Sequence, residues 1–307
     1  MTEALGWWGV VFAIFAGAIR ISTPYLLVSV GETITEKSGR TNLGLEGTVV
    51  LGAMCAFATS YLTGSPWLGV LAAGCVGALL GLVHALICNL PRVNDIAVGI
   101  ALFLLGVGLA FYFGKPFIEP RGNMLPGVGF AFWSDNSAVR SGLEVNPLFI
   151  LGVVLAVFLQ WALVHTRWGL LLRMAGESED AARAAGRSVQ SIRTYATAFG
   201  GFISGLGGAS LSLFYPGNWN EGLSSGQGLM AIALVIFARW NPVRCFYASL
   251  LFGGASAIGP ALQSVGINQG YYLFNAAPYV LTLALLIYSS SASYRLAGAP
   301  SELSLSR

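Results

Sequence analysis

The residues best suited to contact a small polar solute lie in a Gly-rich break between two apolar stretches, residues 31–47. Asn42 and Glu46 are four residues apart, so a helix through both would place them on one face. Glu46 could accept hydrogen bonds from a solute, and Asn42 could both donate and accept. A carboxylate entering an apolar span needs a polar partner, which makes it a candidate functional residue. The alternative is that Glu46 pairs with Arg40 or Lys37 at the surface.

Three further amides lie where apolar stretches begin. Asn94 either lines a solute path or caps the helix that follows it, because Asn is a favoured N-cap. Gln227 lies between two glycines, and Asn275 either lines a cavity or caps the last apolar stretch. The candidate path residues are therefore Asn42, Glu46, Asn94, Gln227 and Asn275.

A charged, Ala-rich stretch, residues 167–193, has the pattern of a short surface helix. Ser178 is placed to cap it, Glu179 and Asp180 fill the first turn, and Gly186 is placed to end it in a left-handed turn. A small helix with an alanine face is shaped for a groove on a partner protein. The alternative is a solvated connector helix.

Several kinds of chemistry have no motif here. The sequence has no Gly-x-x-x-x-Gly-Lys-Ser/Thr loop, so we expect no ATP hydrolysis by that device. No acid/base pair, Cys-x-x-Cys or metal-ligand spacing is visible, and we expect no bound metal or cofactor. We interpret the cysteines as buried apolar side chains and the histidines as structural: Cys55, Cys75, Cys88, Cys245, His84 and His165.

The composition requires a bilayer. The 307 residues are 55% hydrophobic and 9% charged, whereas soluble proteins average about 25% charged residues. The mean hydropathy is +0.71. With roughly 20 residues per span, the predicted spans are Leu5–Ile19, Ile21–Ile34, Leu43–Leu62, Trp67–Leu90, Ile96–Gly114, Pro147–His165, Tyr195–Phe214, Gly226–Trp240, Phe246–Val265 and Ala277–Ser291.

The predicted fold is all-α: a single polytopic membrane domain over residues 1–307, with about eight to ten transmembrane helices. Leu5–Ile19 crosses separately, lies in the interface, or continues into the next stretch, where Pro24 is predicted in a first turn. Gly77-x-x-x-Gly81 and Gly201-x-x-x-Gly205 indicate close helix packing.

Basic residues orient the chain, because they are enriched in cytoplasmic loops. With loop 167–193 inside, three cations fall outside: Lys115, Arg121 and Arg140. Twelve then fall inside, and they also place the C-terminus in the cytoplasm: Lys37, Arg40, Arg92, Arg167, Arg173, Arg183, Arg187, Arg193, Arg239, Arg244, Arg295 and Arg307. The outer loop 115–146 contains several Pro and Gly, so we expect no long helix there; it is a docking surface or a connector.

Four motifs together resemble the inner-membrane permease family of ABC importers that includes ribose, branched-chain amino acid and nucleoside permeases. The greatest similarity is to the shorter permease of nucleoside- or purine-type systems. The motifs are Glu36–Gly47, Gly176–Gly186, Gly226–Pro242 with Phe252-Gly253, and Ala277–Thr282. Lys37 and Thr41 depart from the family pattern, which more often has Arg and a small apolar residue, and leave the solute less defined.

The resemblance implies a solute path between two permease subunits, with Asn42 and Glu46 on a path-lining helix. It also implies a coupling helix docked on a separate cytoplasmic ABC ATPase, which would hold ATP and Mg²⁺. The positions carried over to that role are Glu177, Asp180, Arg183 and Gly186. The implied partners are that ATPase, a second and different permease, and an extracytoplasmic solute-binding protein, in a bacterial inner membrane.

We therefore expect a transport subunit and not an enzyme, in contact with lipid and not with nucleic acid. The expected solute is nucleoside- or nucleobase-like, with a sugar or another small polar solute as the alternative. A stand-alone secondary transporter or channel would instead use Glu46 as a proton-linked carboxylate.

Overall fold

The computed structural model describes residues 6–118, 122–132, 137–264, 276–289 and 298–305, which are mostly helical. The helices are α1 Gly6–Lys37, α2 Leu45–Thr63, α3 Pro66–Cys88, α4 Asp95–Gly114, α5 Ser137–Gly142, α6 Pro147–His165, α7 Arg167–Glu177, α8 Glu179–Ala184, α9 Val189–Leu213, α10 Gln227–Phe237, α11 Pro242–Ser264, α12 Ala277–Ser289 and α13 Glu302–Leu305. A 3₁₀ turn spans Lys115–Phe117, and two short antiparallel strands are β1 Val128–Gly129 and β2 Glu144–Val145.

Seven helices in the described part of the chain are long and apolar enough to cross a bilayer: α1 to α4, α6, α9 and α11. The shorter apolar helices α10 and α12 occupy the predicted spans 226–240 and 277–291. The expected all-α membrane bundle is confirmed. Within the described residues, the long and short helices together fall inside the predicted range of eight to ten.

Helix α1 runs unbroken for 32 residues and joins the first two apolar stretches, so of the three alternatives the first stretch continues into the second. Pro24 lies inside this helix, so its predicted position in a first turn is wrong. Membrane helices tolerate proline because nearby side chains and neighbouring helices satisfy backbone groups. The hydroxyls of Ser22 and Thr23 donate to the Ile19 carbonyl at 3.0 and 2.9 Å, so neither needs water.

Helix α9 lies at the centre of the bundle, where the two predicted Gly-x-x-x-Gly motifs pack against each other. A Cβ on Gly77 would lie 2.2 Å from the Gly201 carbonyl oxygen, and one on Gly81 would lie 2.4 Å from that of Thr197. Only glycine permits such an approach between α3 and α9. Equally close approaches join α9 to α1 and α2, at Gly200–Gly31 and Gly208–Val49.

The loop 115–146 is irregular in its described parts, as the sequence indicates. Its longest helix is α5, with six residues, and β1 pairs with β2. Asn123 anchors the loop to the end of α2: its carbonyl accepts from the Ser60 hydroxyl at 2.7 Å, and its amide donates to the Gly64 carbonyl at 2.8 Å.

Candidate functional site

Glu46 lies in the first turn of α2, only 5% exposed, and its carboxylate binds the start of α10. Oε1 accepts from the Ser224 hydroxyl and from the Gly226 amide at 3.0 Å, and Oε2 accepts from the Gly228 amide at 2.7 Å. A helix N-terminus has unpaired N–H groups and the positive end of the helix dipole, so a carboxylate is stabilised there. Glu46 therefore joins α2 to α10.

The two cations considered as surface partners for Glu46 have other contacts. Arg40 Nη1 donates to Asp95 Oδ1 at 2.6 Å, and Arg40 Nη2 donates to the Cys88 carbonyl at 2.6 Å. Lys37 Nζ donates to the Gly298 carbonyl at 2.9 Å. The hydrogen bonds described for Glu46 are thus with the N-terminal end of α10 and not with Arg40 or Lys37.

Asn42 lies in the connector before α2, which begins only at Leu45. The expectation that Asn42 shares a helix face with Glu46 is therefore wrong. Its Oδ1 accepts from the Gly44 amide at 2.9 Å, which is a local turn that competes with helix. Its own backbone N–H donates to Glu32 Oε1 at 2.9 Å, so Asn42 fixes this connector against α1.

The other predicted path residues do not form one group with Glu46. Gln227 lies between the two amides that bind Glu46, and its Oε1 is buried without a hydrogen-bond partner in the described structure. Asn94 is exposed and caps α4, because its Oδ1 accepts from the amides of Ile96 and Ala97 at 2.9 and 3.1 Å. Asn275 lies outside the described residues.

Two further buried carboxylates were missed by the sequence analysis. Glu32 and Glu36 lie one turn apart near the end of α1, and they are 0% and 3% exposed. The Trp240 indole donates to Glu36, which joins α1 to the turn between α10 and α11. The signal available in the sequence was two glutamates at i and i+4 within an apolar stretch.

The short surface helix is confirmed as α8. Ser178 Oγ accepts from the Ala181 amide at 3.2 Å, which is the predicted cap. At the other end Gly186 adopts φ +71°, its amide donates to the Arg183 carbonyl at 2.9 Å, and the Arg187 amide donates to the Ala182 carbonyl at 3.2 Å. This pair of bonds is a Schellman motif, so both ends of α8 are satisfied.

Arg193, which the sequence analysis did not single out, holds α8 on the bundle. It is 8% exposed. Its guanidinium donates to the Ser38 carbonyl after α1 at 3.1 Å, to the Ala175 carbonyl in α7 at 3.1 Å and to Glu179 Oε2 at 3.5 Å. Glu302 completes the set, 3.4 Å from Arg193, and also accepts from the Glu179 amide at 3.1 Å.

The residues carried over to the coupling role are all exposed: Glu177, Asp180, Arg183 and Gly186. Asp180 and Arg183 are exposed, whereas Ala182 on the opposite face packs against the bundle. Arg183 pairs with Glu179 along the helix. Glu177 ends α7 and accepts from the Ser301 hydroxyl at 2.9 Å, so the described C-terminal segment lies on the same end of the bundle.

One set of potential metal ligands comes together in the described residues, although no linear motif shows it. Ligand atoms of His84, Cys88 and Asp95 lie within 4.8 Å of one another. The guanidinium of Arg40 is 2.6 Å from Asp95, and its positive charge opposes a cation at this carboxylate. We therefore assign no metal to this cluster.

Seven apolar helices of membrane-spanning length, packed around buried carboxylates, define a polytopic helical membrane protein. Residues 14–290 match the family described as "branched-chain amino acid transport system / permease component". The chain belongs to this family of permease components.

Curated relatives cover most of the chain. It is 31% identical to a putative glucose ABC transporter permease, TsgC13, of Haloferax volcanii, over 88% of this chain and 89% of that protein. It is 30% identical to the nucleoside ABC transporter permease NupC of Lactococcus lactis, over 89% and 90%. It is also 30% identical to the guanosine ABC transporter permease NupQ of Bacillus subtilis, over 86% and 88%.

Proposed function

We propose that this chain is the membrane-spanning subunit of an ATP-driven ABC importer for a nucleoside- or nucleobase-like solute. Two of the similar permeases are named for nucleosides or guanosine, each at 30% identity over most of the chain. Such solutes combine hydrogen-bonding edges with an aromatic face, which suits a path offering amides and carboxylates. A sugar is the second candidate, because another relative is named for glucose.

The observation that carries the transport mechanism is the attachment of α8. Its buried face and its N-terminal turn are fixed to the bundle, while Asp180 and Arg183 remain exposed. A rigid attachment with a free outer face suits a helix that receives force from another protein. In this proposal that protein is a separate cytoplasmic ATPase, which holds ATP and Mg²⁺, and this chain binds neither.

The solute path runs between this chain and a second permease subunit, which we propose to be a different chain. Gln227 is the best-supported path residue because its Oε1 is buried and lacks a partner in the described structure. Glu46 accepts hydrogen bonds at the start of α10 and so positions the helix that carries Gln227. Asn42, Asn94 and Asn275 stay predictions. Rocking of the spans would expose the path alternately to each side.

The remaining partners and the location follow from the same proposal. A solute-binding protein delivers the solute to the outer side, where the loop 115–146 is a candidate contact. Loop 167–193 and the C-terminus face the cytoplasm of a bacterium, with the chain in its inner membrane. The charge asymmetry of the loops supports this orientation.

The double variant Asp180→Ala/Arg183→Ala tests the coupling role in liposomes that contain the complete transporter. We expect solute-stimulated ATP hydrolysis and uptake to be lost, with normal membrane insertion, because the outer face of α8 loses its charged contacts. Gln190→Ala, exposed at the start of α9, is the control and should transport normally. Unchanged uptake in the double variant would remove α8 from coupling.

Competition for uptake tests the solute class. Unlabelled nucleosides and nucleobases should displace a labelled nucleoside, and hexoses should not. The reverse ranking would select the sugar candidate. Accumulation of solute by the purified chain alone, without a nucleotide-hydrolysing subunit, would instead show a secondary transporter.

A further inference from the structure

A cavity of about 390 Å³ opens at the end of the bundle that carries α7 and α8. Four cationic residues line it: Lys37 at the end of α1, Arg173 on α7, Arg239 in the α10–α11 turn and Arg244 on α11. Its described lining contains no Asp or Glu. Cations gathered in one concavity repel one another and focus a positive potential, which an anionic ligand would relieve.

The turn between α10 and α11 is shaped to place its side chains at this cavity. Arg239 and Trp240 both have φ +53°, a conformation that costs free energy for residues other than glycine. The Trp240 amide donates to the Val235 carbonyl at 3.1 Å, and its indole donates to Glu36. These bonds hold the turn so that Arg239 and Asn241 line the cavity.

The cavity lies beside the end of a candidate membrane span. Gln160, Leu163 and Val164, in the last turns of the candidate span α6, form its apolar and amide wall. Trp161 and Trp168, which are 53% and 39% exposed, lie at the end of α6 and the start of α7. Tryptophans are enriched at membrane–water interfaces, so a lipid headgroup can reach the cations while its chains follow α6.

The neighbouring contacts leave capacity for a ligand. Lys37 donates one hydrogen bond, to the Gly298 carbonyl at 2.9 Å, and an ammonium group has two further protons. Glu177, the acidic residue one turn after Arg173, accepts from the Ser301 hydroxyl and partly offsets the charge of Lys37, but it lies outside the cavity lining.

We propose that this cavity binds the phosphate group of an anionic phospholipid. A headgroup bound there would contact α1, α7 and the α10–α11 turn together, and would steady the segment that leads into α8. The proposal requires only that the chain spans a membrane, so it stands independently of the nucleoside assignment and of the ATPase.

Native mass spectrometry of the full-length protein in neutral detergent can test this, with phosphatidylglycerol titrated as the probe. Arg173→Gln/Arg244→Gln should weaken binding about 25-fold, since each cation near an anionic lipid contributes about fivefold. The matched control is Arg167→Gln/Arg187→Gln, which removes two exposed arginines of the same region that do not line the cavity. Phosphatidylcholine should bind weakly to all three proteins.

Each remaining outcome bears on the proposal. Equal losses in both double variants, or equal binding of the two lipids, would overturn it, because attraction would then be unspecific. Binding of millimolar inorganic phosphate without retention of phosphatidylglycerol would overturn the lipid source and indicate a soluble phosphate. A thermal midpoint measured for each variant identifies misfolding, and in that event Arg244→Gln alone should still weaken lipid binding about fivefold.

Discussion

At the scale of single residues, Glu46 shows how a buried carboxylate can order its surroundings. Its two oxygens accept from three donors at the start of α10, and the glycine at position 228 lets that helix approach. A Cβ on Gly228 would lie 2.6 Å from the Glu46 Cα atom. The carboxylate of Glu46 and the lack of a side chain at Gly228 together fix the backbone on both sides of Gln227.

Glu46→Gln should destabilise the protein and impair uptake. The amide group would present N–H donors to backbone N–H groups, so at least one hydrogen bond to a charged acceptor is lost, at about 2 kcal/mol of unfolding free energy. The thermal midpoint and the uptake rate measure the two effects. The control Glu221→Gln, exposed in the connector before α10, should match wild type. Wild-type uptake by Glu46→Gln would exclude Glu46 from the path region.

Gly186→Ala should loosen the end of α8. No atom lies within 4 Å of a Cβ built there, so the φ of +71° is the only constraint, and alanine should cost about 1 kcal/mol locally. Hydrogen exchange should quicken in residues 179–187. Gly222→Ala is the control, because a Cβ there would make only an ordinary contact, 3.8 Å from Asn220 Oδ1; equal exchange in both variants would contradict the left-handed end.

At the scale of elements, α9 packs at the centre of the bundle because its glycines let its backbone contact the backbones of α1, α2 and α3. Gly77→Ala should lower the free energy of unfolding by about 1–3 kcal/mol, since the new methyl overpacks the contact with α9. Gly108 on α4 has no atom within 4 Å of its Cβ position. Gly108→Ala should therefore leave stability unchanged or raise it by up to about 1 kcal/mol. Similar losses in thermal midpoint for both variants would contradict the close α3–α9 packing.

The attachment of α8 is also a property of elements, since Arg193 joins α1, α7, α8 and the segment containing Glu302. Arg193→Lys keeps the charge but loses the planar fork that reaches several acceptors. Hydrogen exchange in residues 179–184 should rise severalfold. The control Arg187→Lys changes an exposed arginine of the same loop, and its exchange should stay at the wild-type rate.

At the scale of the molecule, several of the described basic residues gather at one end of the bundle. Lys37, Arg173, Arg239 and Arg244 line one cavity there, and Arg193 lies beside α8. If this end faces the cytoplasm, as the sequence predicts, the cations lie on the side where basic residues are enriched. The cations lie at the same end as α8, the proposed contact with the ATPase, and at the opposite end from the loop that contains Asn123.

The orientation can be measured with a membrane-impermeant maleimide in a background without the native cysteines. Phe132→Cys, at a position 89% exposed in the outer loop, should react in intact cells. Arg187→Cys, exposed just after α8, should react only after permeabilisation. Labelling with the opposite pattern would reverse the proposed orientation and remove α8 from contact with a cytoplasmic ATPase.

Much of the architecture was predictable because the bilayer imposes a simple rule. Each span needs an apolar stretch of sufficient length, so composition fixed the membrane class and most helix positions. Local capping chemistry was equally readable: Ser178, Asn94 and Gly186 act within a few residues of their own position in the chain. The resemblance to permeases is likewise carried by short motifs and is confirmed by the family match.

Only the tertiary structure decided which polar groups meet. Glu46 and Gly228 are separated by 182 residues, and Arg193 and Ser38 by 155, so no local pattern could join them. That α1 continues through Pro24 could not be read from the sequence, and the connector at Asn42 is fixed by a hydrogen bond that its backbone N–H donates to Glu32 Oε1. The sequence by itself determined a membrane protein with capped helices; the burial of charges, whose partners come from distant segments, was decided by packing.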